Sequence, residues 1–187
     1  MVKEREYAGL LPRLARPPDL VVCDSQVVLK TIADTPPGVP CTTFSILFAR
    51  FKGDLVEAAR GAAALRDLQP GDRVLVAEAC SHHALEDDIG RVKIPRWLRQ
   101  YAGADLRVDV VSGRDYPADL SPYRAIVHCG ACMLTRREML SRVRRAKAAG
   151  VPVTNYGVCI AFLQGVIERV LAPFPAALEA YRETAGS

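Results

Sequence analysis

The sequence predicts an α/β fold: a doubly wound, mostly parallel, Rossmann-like sheet of about five strands with helices on both faces. Three observations carry this. Short apolar runs alternate with amphipathic stretches, the order that builds right-handed βαβ crossovers. Two of the runs, Val74-Leu75-Val76-Ala77 and Ala125-Ile126-Val127, are apolar without interruption, as in central strands covered on both sides. Both lead directly into segments of cysteine and histidine, and open parallel sheets hold their ligands beyond the carboxyl ends of the strands.

Residues 3–16 alternate charge with Tyr7, Leu10, Leu11 and Leu14, which fits a short helix ended by Arg16-Pro17-Pro18. Leu20-Val21-Val22-Cys23 reads as a first strand, closed by the polar turn Asp24-Ser25-Gln26. After a proline-rich loop, Thr42 or Thr43 can cap a short helix through Phe44–Arg50. Asp54 with Glu57 resembles a capping box and opens a helix to about Leu68, with Leu55, Ala58, Ala59, Ala62 and Leu65 as its buried face. Pro70-Gly71 stops it, and the strand Arg73–Ala79 runs straight into Cys80.

Pro95 suits the first turn of the next helix, where its missing N–H costs nothing; Ile94, Trp97, Leu98 and Tyr101 mark the buried side and Gly103 the end. Leu106–Val111 alternates apolar residues with Arg107 and Asp109, the pattern of an edge strand with one wet face. Ala125-Ile126-Val127 delivers His128 and Cys129. Thr135 and Glu138 form a second capping box, opening an arginine-rich helix to about Ala149 that stops at Gly150 and Pro152. Val153-Thr154-Asn155 is a last short strand, and Gly157 leads into an apolar helix from Cys159 to Leu171, broken at Pro173.

A length of 187 residues is enough for a substantial core, and a chain that is half hydrophobic and one quarter charged is ordinary for a globular protein. The net charge of +4 comes from dispersed Lys and Arg, which fits solvated helix faces and argues against a nucleic-acid partner. No apolar span reaches about 18 residues, and the charged N-terminus leads to no signal-like apolar region, so no membrane partner and a cytoplasmic setting are expected. Cysteines stay reduced there, and clustered ones serve metals or catalysis. Cys23, Cys41 and Cys159 stand apart and read as small buried hydrophobes.

The other three cysteines, and all three histidines, sit in two segments: Ala79-Cys80-Ser81-His82-His83 and Val127-His128-Cys129-Gly130-Ala131-Cys132-Met133. If the two strands before them are neighbours, the segments meet. Three readings compete. Cys80, Cys129 and Cys132 could bind an iron–sulfur cluster, leaving one iron of a [4Fe–4S] cube open. With a histidine they could bind structural zinc. The Cys129-x-x-Cys132 pair alone could be a redox dithiol, which leaves Cys80 and His82 unexplained. His82 and His128 are the candidates for a fourth ligand, although a strand that continues through His128 would point it away; His83 reads as outer or surface. Arg91, Lys93 and Arg96 lie at or before a helix N-terminus and could attract an anionic cargo; the alternative is pairing with Asp87 or Asp88.

Several strings resemble one family: Cys23-Asp24-Ser25-Gln26, Thr43-Phe44-Ser45-Ile46, Lys52-Gly53-Asp54-Leu55, Glu78-Ala79-Cys80-Ser81-His82-His83, the stretch from Asp88 to Trp97, His128-Cys129-Gly130-Ala131-Cys132 and Thr154-Asn155-Tyr156-Gly157. They are similar, over about residues 17–175, to the C-terminal cluster-binding domain of the [FeFe]-hydrogenase maturation family HydF. The resemblance implies a [4Fe–4S] cluster on Cys80, Cys129 and Cys132 with an exchangeable fourth position. It implies a scaffold or carrier role for the diiron subcluster, a transient CO/cyanide precursor, with the hydrogenase apoprotein and two radical-SAM maturases as partners and a homodimer among the allowed assemblies. The alternative is a stand-alone electron-transfer or redox-sensing module.

The chain departs from the family pattern in lacking G-x-x-x-x-G-K-[ST], the phosphate cradle of a GTPase, so the resemblance carries over no GTP hydrolysis and no enzymatic activity is expected. The expected division is a lead-in helix over residues 1–16, read as a remnant of the family's dimerisation domain, and a cluster-binding domain over residues 17–187.

Overall fold

The computed structural model describes residues 2–79, 88–103, 105–113 and 115–186. Cys80, His82, His83 and Asp87 lie outside the described residues. The chain opens with helix α1 (Glu4–Leu10), continued by a short 3-10 turn over Leu11–Arg13. Strand β1 (Val21–Cys23) follows, then α2 (Val28–Asp34), β2 (Cys41–Thr43) and α3 (Phe44–Lys52). Helix α4 (Leu55–Ala63) leads to β3 (Arg73–Ala77), α5 (Ile94–Ala102), β4 (Arg107–Val111) and β5 (Ala125–His128). The chain closes with α6 (Arg136–Ala148), β6 (Val153–Asn155), α7 (Tyr156–Leu163), α8 (Ile167–Leu171) and α9 (Pro175–Ala185).

The fold is α/β with parallel sheets flanked by helices. The main sheet has the order β4-β3-β5-β6 and is parallel throughout. The strand count differs from the one expected. The Leu20–Cys23 segment does not join this sheet; it pairs with β2 in a separate two-stranded parallel sheet, in register from Val21↔Cys41 to Cys23↔Thr43.

Side chains of a strand alternate between its two faces. Val74 and Val76 of β3, with Ala125 and Val127 of β5, join a large core shared with α3, α4, α5, α7, α8 and α9. Leu75, Ala77 and Ile126 face the opposite side, where Met139, Val143 and Ala146 of α6 cover them. Strand β4 lies at the edge, with Asp109 accepting from Arg73 at 2.6 Å and from the Tyr123 hydroxyl at 3.0 Å.

The turn chemistry explains how helices start at the site. Thr43 and Asn155 end their strands and cap the next helix without an intervening loop: Thr43 Oγ1 accepts from Ile46 N at 3.3 Å, and Asn155 Oδ1 from Val158 N at 2.9 Å. Helices α3 and α7 touch at their first turns. A Cβ on Gly157 would lie 2.3 Å from Ser45 Cβ, so only glycine permits the approach. Thr135 and Glu138 form the expected capping box. Asp54 accepts from Glu57 N at 3.1 Å, while the Glu57 carboxylate turns to Arg60 and Lys147.

One long apolar helix to Leu171 was expected; α7 and α8 are separate, because the chain turns at Gly165 with φ of 72°. Among the described residues no helix is long and apolar enough to cross a membrane.

Candidate metal centre at the carboxyl edge of the sheet

Strands β3 and β5 are direct neighbours, with Ala77 opposite His128, and β6 places Asn155 opposite His128 on the other side. The residues that follow β3 and β5 therefore emerge together. Cys129 continues the ladder by donating its N–H to the Ala77 carbonyl at 2.9 Å. Its sulfur then accepts from the backbone N–H of Ala79 at 3.0 Å and of Ala131 at 3.4 Å. The second bond needs a tight reversal, and Ala131 supplies it with a φ of 54°, in the left-handed region that alanine rarely adopts. Backbone donors aimed at a cysteine sulfur favour its thiolate form, the form that binds metal.

Cys132 is exposed at the far end of this loop. Lys52, the last residue of α3, donates to the carbonyls of Cys132 at 2.8 Å, Leu134 at 3.2 Å and Ala131 at 3.4 Å. A small cleft runs beside the loop, lined by Phe48, Lys52, Cys129, Gly130, Thr154 and Asn155 among others.

His128 sits on the α6 side of the sheet and is fully buried. Arg142 Nη1 lies 3.0 Å from its Nε2, and its Nδ1 lies 2.9 Å from the Cys129 carbonyl. A guanidinium only donates, so Nε2 is the acceptor and Nδ1 carries the proton. Burial holds the imidazole down to about 4, with the charge of Arg142 acting the same way against the bond to the Cys129 carbonyl. With both ring nitrogens engaged, His128 braces the strand end in this arrangement. The alternation of side chains along β5 is the reason: the residue before Cys129 faces α6.

On the opposite face of β3, Glu78 is 2% exposed. Its Oε2 accepts from Arg91 Nε at 3.3 Å and Nη2 at 3.2 Å, and Arg91 also donates to Ser112 Oγ at 3.0 Å. A single π-helical turn, Ile89–Lys93, aims Arg91 there; Asp88 anchors it by accepting from Gly90 N and Arg91 N, each at 2.9 Å. Gly90 is dictated by its neighbours, since a Cβ would lie 2.0 Å from the Tyr156 hydroxyl and 2.7 Å from Glu78 Oε1. The Tyr156 hydroxyl is buried with no partner among the described residues. Burial, and then the carboxylate of Glu78, pushes its phenol up, so it stays a proton donor.

The basic trio is thus dispersed. Arg91 is paired with Glu78, Lys93 donates to Gln26 Oε1 at 2.9 Å, and Arg96 is exposed on α5. The expected alternative named Asp87 or Asp88 as counter-charge; for Arg91 it is Glu78. Glu78, Tyr156 and Lys52 are the site residues that spacing did not single out, although each stands inside a string quoted above for the resemblance. Cys41 and Cys159 are buried in the cores as expected, Cys23 is half-buried with its thiol 3.8 Å from the Thr42 carbonyl, and no disulfide joins the described cysteines. Among the described residues no group of three His, Cys, Asp or Glu side chains is gathered for a metal ion. Cys129 and Cys132 are the thiols placed here, and Cys80 lies outside the described residues.

No curated protein matches the chain. A family model described as the hydrogen maturase F dimerization domain matches residues 1–53, and one described as the hydrogen maturase F tetramerization domain matches residues 56–173. The two matches meet at the turn between α3 and α4, and the dimerization match is longer than the lead-in helix expected from sequence. The chain therefore carries two segments named for self-assembly. With the longer match alone spanning more than half of its length, the chain belongs to the hydrogen maturase F family.

Proposed function

We propose that the chain is a scaffold and carrier in hydrogenase maturation, holding a [4Fe–4S] cluster on Cys80, Cys129 and Cys132 for assembly and delivery of the diiron subcluster. The observation that carries this reading is the bond from Ala79 N–H to the Cys129 sulfur. It puts the residue before Cys80 in contact with the loop that holds the other two thiols.

The donor set suits such a cluster. Cluster irons are held by thiolates, and hydrogen bonds to the sulfurs tune their potential. The N–H groups of Ala79 and Ala131 provide those bonds at Cys129. Three thiolates leave one iron of four for an exchangeable ligand, the chemistry that a carrier needs when bound. His82 is the histidine we retain for that position, because both ring nitrogens of His128 are engaged. The chain's own task is to fix three sulfurs at the sheet edge, and no turnover chemistry is proposed for it. The proposed partners are the hydrogenase apoprotein and the radical-SAM maturases, met by an assembled oligomer.

The test is retention of cargo. Protein reconstituted with iron and sulfide is incubated with a synthetic diiron CO/cyanide complex, desalted and examined by infrared spectroscopy. Retained CO stretches, lost in Cys132→Ser, are expected. A reconstituted protein that retains none contradicts the carrier role and favours an electron-transfer or redox-sensing module.

A further inference from the structure

We propose that Lys52 is a positioning residue that couples the N-terminal assembly segment to the cysteine loop. Its ammonium has three protons and finds three acceptors on that one loop, the carbonyls of Ala131, Cys132 and Leu134. The same ammonium lies 5.8 Å from the centre of the Phe48 ring, one turn back on α3. The tie is returned from the far side: Arg136 Nε, at the start of α6, donates to the Phe51 carbonyl at 3.2 Å. The C-terminus of α3 and the loop are thereby fastened to each other by two cations.

Two features give the fastening a purpose beyond packing. One of the three carbonyls belongs to Ala131, whose left-handed backbone is strained for a residue other than glycine. That backbone aims the Ala131 N–H at the Cys129 sulfur, so a grip on its carbonyl stabilises the donor geometry at the thiol. Lys52 also belongs to the segment matched by the dimerization model, whereas residues 129–134 belong to the tetramerization match. A shift of α3 on assembly would pass through this side chain to the thiols. The ammonium further places a positive charge beside Cys132, which favours the reduced state of any anionic cluster held there.

Lys52→Met removes the charge and the donors at similar length; Lys52→Arg restores the charge. The first measurement uses metal-free protein and stands apart from the cluster reading: alkylation of Cys129 by iodoacetamide, followed by peptide mass spectrometry. Lys52→Met should slow it severalfold, because the released loop no longer holds the Ala131 N–H on the Cys129 sulfur and the nearby positive charge is gone. The second rests on the proposed function. In reconstituted protein, Lys52→Met should lose iron to a chelator faster and shift the cluster midpoint potential negative, while Lys52→Arg keeps the potential near that of the unchanged protein. Unaltered Cys129 alkylation in Lys52→Met overturns the proposal, as does a lower melting temperature with alkylation and potential both unchanged. Failure of the unchanged protein to take up a cluster overturns the carrier reading alone, and the alkylation result still decides the role of Lys52.

Discussion

The backbone N–H of Ala79 donates to the Cys129 sulfur at 3.0 Å, joining residues 50 apart in the chain. Parallel pairing of β3 with β5 makes this bond, because their last residues are in register and both chains leave the sheet at one edge. The bond also connects the two segments that contain the proposed thiolate ligands.

His128 and Cys129 are neighbours with separate tasks. Replacing His128 with Ala leaves Arg142 Nη1 without that acceptor, while Nη2 still donates to the Gly113 carbonyl, and should lower stability by roughly 1–3 kcal/mol. Urea denaturation of metal-free protein measures this loss. Iron uptake per folded protein should stay at the level of the unchanged chain; its loss would assign His128 to the metal.

Tyr156 buries a hydroxyl without a partner among the described residues. Tyr156→Phe should therefore leave metal-free stability unchanged or raise it by about 1 kcal/mol. Gly90→Ala drives a methyl into that hydroxyl and Glu78, an overpacking that should cost roughly 1–3 kcal/mol. The double variant should lose less than Gly90→Ala alone, since the closest clash has gone. Equal losses in a denaturation cycle would contradict the contact.

The cysteines should divide by reactivity. In metal-free protein Cys132 is exposed and should alkylate first. Cys159 is fully buried and its thiol is pushed up by burial, and Cys41 is 1% exposed. Both should react only on unfolding. Early labelling of Cys159 in a timed alkylation would contradict the packing of α7.

Much of the fold was legible because its signals are local. Continuous apolar runs marked β3 and β5 as central, and alternation with Arg107 and Asp109 marked β4 as an edge. Thr135-x-x-Glu138 gave a helix start, and Gly103 and Gly150, at φ of 60° and 68°, gave helix ends. Strand β2 was hidden because its three residues, Cys41-Thr42-Thr43, have no apolar run, and they are buried by pairing with β1. Helix α2 lacks a side-chain cap, and the break after α7 rests on one left-handed glycine.

At the site, the meeting of the two strand ends was legible from the parallel sheet, and the orientation of His128 from the strand period. The long-range partners were not. Lys52 reaches its carbonyls across about 80 residues, and Arg91 meets Glu78 only because a π-turn follows Asp88. Such contacts depend on how elements pack, which no local pattern encodes.

Cys80, Cys129 and Cys132 are proposed to hold one [4Fe–4S] cluster. Anaerobic reconstitution with iron and sulfide, followed by electron paramagnetic resonance of the reduced protein, tests this most directly. The unchanged chain should give a [4Fe–4S] signal, and Cys80→Ser, Cys129→Ser and Cys132→Ser should each abolish a stable one. Stoichiometric zinc binding with no cluster signal, or a normal cluster in Cys129→Ser, would contradict the account.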